Sequence, residues 1–94
     1  MSEPEPVPAP VRQLEFEAAR DAVLAVLAFY AEQIDVEERR LDPDDGLIAR
    51  LVNERIAYGA LLRELPSTDA AGIVRITETA RADLVRLEGG RPPR

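Results

Sequence analysis

Residues 22–31 read Ala22-Val23-Leu24-Ala25-Val26-Leu27-Ala28-Phe29-Tyr30-Ala31, an unbroken apolar run inside a small acidic chain. A helix packed on one layer of partners carries an apolar stripe, not an apolar circumference. This run therefore asks for cover on more than one side, either wholly from its own chain, with the other two helices straddling it in a monomer, or from its own chain and a second one. It is half the length of a membrane span, which takes about 20 residues. The flanking sequence extends it as a helix. Val23, Val26, Leu27, Tyr30 and Ile34 step by three and four, and Leu14 and Phe16 continue the face backwards. Ala at 18, 19, 22, 25, 28 and 31 favours helix and allows a neighbour to come close. The sequence thus predicts a first helix over residues 11–40, with Asp35 and Arg39 as an i,i+4 ion pair.

Downstream, Asp42-Pro43-Asp44-Asp45 reads as a helix start, with Asp42 as N-cap and Pro43 at the first helical position. The second helix is predicted over 43–65 and stopped by Pro66. Leu47, Leu51, Tyr58, Leu61 and Leu65 lie along one side of it, with Ile48, Val52, Ile56 and Leu62 beside them. Ser67 or Thr68 is the expected cap of a third helix over 68–88. Its stripe is Ile73, Ile76, Thr77, Ala80, Leu84 and Leu87, and Gly89 is its natural stop. On the inner stripe, the Thr77 hydroxyl is expected to bond to a carbonyl one turn back. Links this short make successive helices antiparallel neighbours. The expected fold is all-α: a single up-down-up three-helix bundle over 11–88.

Two tails flank it. Residues 1–10 carry Pro at 4, 6, 8 and 10 and read as a disordered Pro-rich segment, and residues 89–94 read as a second. Helix lengths do not match: at 1.5 Å per residue they come to about 45, 33 and 30 Å. The first two turns of helix one should overhang, carrying Val11, Leu14 and Phe16 outward. Overhang and apolar circumference together predict self-association through helix one, with Leu14, Val23, Leu24, Leu27, Phe29, Tyr30 and Ile34 at the interface. Gly59 costs about 1 kcal/mol against Ala in a helix interior. A role in letting the Ala-rich middle of helix one approach would account for it, and so would a notch for a ligand or a partner's side chain.

Composition narrows the function. The 94 residues hold 18 acids and 12 bases, all Arg, for a net charge of −6. Nucleic acids and anionic membranes are poor partners for such a chain. An all-Arg, Ala- and Val-rich composition suggests a GC-rich bacterial source. The Met-Ser-Glu-Pro start lacks the basic region of a signal peptide, and the expected location is the cytoplasm. With no His and no Cys, thiolate chemistry and His or Cys metal sites are excluded. The hydroxyls have no imidazole to activate them. Glu32 and Asp35 share a helical face and could hold Mg²⁺ as in all-α hydrolases, but the interior of the second helix offers only Glu54, with no acid three or four residues away, as a counterpart. Arg81, Arg86 and Arg91 could form a DNA-facing edge. The expectation is a non-enzymatic helical protein with no catalytic, cofactor or metal residues. It would act on a second copy of itself, another protein, or both, as an accessory or regulatory subunit.

Overall fold

The computed structural model describes residues 9–89, with side chains from residue 12 onward. Most of the expected Pro-rich tail and the segment beyond Gly89, including Arg91, lie outside the described residues. Three α-helices account for nearly all of the rest: α1 over Ala9–Glu38, α2 over Asp45–Glu64 and α3 over Ala70–Gly89, with a 3₁₀ turn at Leu65–Ser67 between the last two. No strand occurs among the described residues. Helix α1 starts two residues before the predicted boundary. Pro10 is compatible with that start, because the first N–H groups of a helix have no intrahelical acceptor to lose.

Helix α1 is the spine of the bundle and packs against both α2 and α3. Its buried residues are Ala19, Ala22, Val23, Val26, Phe29, Tyr30 and Ile34. At 100° per residue they cover roughly 140° of the helix, wider than a single seam because two helices share it. Tyr58 of α2 and Ala80 of α3 complete the central cluster, with Leu27, Leu51, Leu61, Leu62, Ile76, Leu84 and Leu87 packed around it. The Phe29 ring meets Tyr30 edge-on and Tyr30 lies tilted against Tyr58, each pair with centroids 6.2 Å apart.

The helix starts differ from the expected ones. Asp44, not Asp42, caps α2: its carboxylate accepts the Leu47 N–H at 3.0 Å, and its backbone is extended as a cap requires. The shift follows from Glu37, which is buried at 5% exposure near the end of α1. Its carboxylate accepts the Asp44 N–H at 3.0 Å and the Arg40 guanidinium at 3.3 Å, tying the link back onto α1. Likewise Asp69 caps α3, accepting the Gly72 N–H at 2.7 Å. Ser67 and Thr68 serve the other helix instead, donating their hydroxyls to the Glu64 carbonyl at the end of α2. A Cβ on Gly72 would stand 2.6 Å from Thr68 Cγ2 and 2.9 Å from Asp69 Oδ1, so this tight corner needs glycine. Thr77 donates to the Ile73 carbonyl at 2.9 Å, as its place on the inner stripe implies.

Candidate functional site

The seven residues expected at a helix-one interface fall into two groups. Val23, Phe29, Tyr30 and Ile34 are buried in the chain's own core, and Leu27 is half-buried against it. Leu14 and Leu24 remain outside, at 65% and 43% exposure. The apolar run from Ala22 to Ala31 is therefore covered largely from within, because α2 and α3 both lie on α1. The overhang is present in milder form: Leu14 is exposed and Phe16 half-buried.

Beside the aromatic core sits a polar cluster that the sequence reading had missed. The Tyr58 hydroxyl donates to the Asp83 carboxylate, linking α2 to α3. Asp83 also pairs with Arg86 at 3.6 Å. Burial pushes the Tyr58 phenol well above its ordinary value, and the Asp83 carboxylate that accepts its proton reinforces the shift. Burial raises the Tyr30 phenol too; Glu54 adds to the shift and Arg86 opposes it. Both phenols are thus neutral near pH 7, Tyr58 as a hydrogen-bond donor, and neither is suited to act as a base. One signal could have exposed the cluster. Two Tyr on inner stripes each carry a hydroxyl that needs a partner when buried.

Helix α2 presents a second, more open face outside the packing around the central cluster. Ile56 is 59% exposed, Val52 and Ile48 are half-buried, and none of the three belongs to the packing around the central cluster. Gly59 belongs to this face as well. The expected role in admitting α1 is not what the structure shows: a Cβ on Gly59 would meet nothing nearer than Arg63 Nη1, 3.9 Å away. Its position about 100° round the helix from Tyr58 explains the difference, since Tyr58 and Leu62, not Gly59, pack at the core.

The remaining candidates are dispersed. Glu32 and Asp35 are both on the exposed side of α1, and the Asp35 carboxylate holds Arg39 at 3.1 Å. Arg86 is engaged with Asp83, whereas Arg81 lines an open groove of about 230 Å³ between α1 and α3, with Glu15, Ala18, Ile73, Val74 and Glu78. Among the described residues, no three acidic side chains gather in a way that could hold a metal ion. Nor, among them, is any helix long and apolar enough to cross a membrane. Comparison with family models, with curated proteins and with solved structures finds no match for this chain.

Proposed function

We propose that this chain is a non-enzymatic interaction protein: an up-down-up helical bundle that recognises a protein surface, its own or another's, as an accessory or regulatory subunit in the cytoplasm. One observation carries the reading. Large apolar side chains stand exposed on every helix, among them Leu14, Leu24 and Val36 on α1, Ile56 on α2, and Val74 and Val85 on α3. Scattered singly, such residues need no explanation. Here two of them recur at helical spacing, Val74 and Val85 three turns apart on one side of α3, and the half-buried Val52 stands one turn from Ile56. Unpartnered apolar surface of this kind supports association more than catalysis. On α1 the surface open to a partner centres on Leu24, with Ala28 and Ala31 beside it and Leu14 toward the overhang.

Light scattering of the full chain over a range of concentrations tests the reading. A mass that rises above 10.4 kDa with concentration supports self-association. A constant mass, together with no protein retained stoichiometrically by the tagged chain from its own host, would overturn the interaction reading. Heat released on adding Mg²⁺ would favour a metal-dependent activity at Glu32 and Asp35 instead.

A further inference from the structure

The more open face of α2 has an order that its own fold does not use. Asp45, Ala49, Val52, Ile56, Gly59 and Arg63 follow one another at spacings of four, three, four, three and four. That alternation is the seam of a helix that packs lengthwise against another helix. At 100° per residue the seam runs roughly 130° round α2 from the direction of Tyr58, away from the core. Asp45, Ala49, Ile56 and Arg63 are exposed, and Val52 and Gly59 half-buried. Among the described residues, the side chains of Asp45 and Arg63 make no ion pair. Resting on the interaction reading above, we propose that this seam is a self-recognition surface, which pairs antiparallel with the same seam of a second copy about a two-fold axis.

The chemistry of the seam selects that occupant and that direction. Laid antiparallel with its centre at the level of Glu54, Asp45 of each copy meets Arg63 of the other, so acid faces base at both ends. Ala49 meets Gly59 of the second copy, small against small, which lets the backbones approach. Val52 meets Ile56 in the middle, branched apolar against branched apolar. A parallel pairing would set Asp45 against Asp45 and Arg63 against Arg63. The notch at Gly59, where an added Cβ would meet only the Arg63 head at 3.9 Å, gains a use. Glu54 sits at the axis level but lies on the Tyr30 side of α2, away from its mate. Arg55 flanks the seam and meets its own counterpart; its long stem lets the charged head turn to water. A single helix pair falls short of the ~1,200–2,000 Å² buried in stable complexes, so the dimer should form in the micromolar range and above.

Sedimentation equilibrium of the full chain and four variants tests the seam. The unaltered chain is expected to pass from monomer to dimer with concentration. Ile56→Glu, on a face the core does not use, should keep its helicity and raise the dissociation constant at least tenfold. Asp45→Arg and Arg63→Asp, each alone, should stay monomeric, and an equal mixture of the two should dimerise, since every end contact is then opposite in charge. Gly59→Leu should fold at least as well as the parent and lose the dimer. A dimer that survives Ile56→Glu and Gly59→Leu would overturn the seam while leaving self-association in place. A chain that is monomeric at every concentration would overturn self-pairing; docking on a different protein would still be decided by retention from the host.

Discussion

Replacing Tyr58 and Asp83 singly and together measures a side-chain hydrogen bond that joins α2 to α3. Tyr58→Phe removes the hydroxyl but leaves Asp83 its Arg86 partner and 31% side-chain exposure. A hydrogen bond to a charged group contributes about 1.5–3 kcal/mol, and the partial exposure of the acceptor places this one at the low end, about 1.5 kcal/mol. Asp83→Ala does more damage. It deletes the same bond and removes the acceptor of a hydroxyl carried by a residue only 5% exposed. The expected cost is about 2–3 kcal/mol. In the double variant no tyrosine hydroxyl is left without its acceptor, so its cost should fall well below the sum, with a coupling of about 1.5 kcal/mol. Urea unfolding followed by circular dichroism reads these differences directly, at concentrations low enough to keep the chain monomeric. In thermal melts, Tyr58→Phe should lower the midpoint by about 6–12 °C for a domain of this size. Additive single effects, or Asp83→Ala milder than Tyr58→Phe, would refute the bond.

Three further outcomes follow from the same geometry. Asp44→Ala should cost about 1 kcal/mol while Asp42→Ala costs little, since only the Asp44 carboxylate meets a helical N–H; equal midpoints would disprove the assignment of the cap. Gly59→Ala and Gly72→Ala should shift stability in opposite directions, the first upward by about 1 kcal/mol through helix propensity, the second downward because its Cβ collides with Thr68 and the Asp69 cap; a common sign would contradict the packing at one of the two sites. Both phenols are raised above the ordinary value of 10.0, so they stabilise the fold fully below about pH 10 and lose that contribution as the pH rises through their folded-state values. Tyrosinate absorbance should therefore lag behind that of free tyrosine and appear together with loss of helicity; full ionisation near pH 10 in a still-helical chain would show that the two rings are not buried.

Much of the fold is legible in the sequence, because the three-and-four spacing of apolar residues survives any packing arrangement. The inner stripes through Val23, Val26 and Tyr30, through Leu51 and Tyr58, and through Ile76, Ala80 and Leu84 all reach the core. Cap identities are less legible. Asp42, Asp44, Ser67, Thr68 and Asp69 are all competent caps, and the choice among them depends on side-chain contacts made back to the preceding helix. Glu37 reaching the Asp44 N–H fixes one end, and Thr68 turning back to the Glu64 carbonyl fixes the other. The apolar circumference of α1 was legible as a demand for cover but not as to its source. Two helices of the same chain supply most of it, so Val23, Phe29, Tyr30 and Ile34 are consumed internally. Of the seam proposed on α2, only Val52 and Ile56 stand out in the sequence, as apolar residues beside the main stripe. Its separation from the core emerges only once Gly59 is seen to have no interhelical neighbour.

Amide shifts followed by NMR on dilution test the proposed pairing along α2 residue by residue. The expected result is a set of concentration-dependent shifts along α2 at Ala49, Val52, Ile56 and Gly59, with the Tyr30 and Val23 region of α1 unmoved. Shifts confined to Leu14 and Leu24 on α1, or a spectrum unchanged over the whole dilution series, would contradict it.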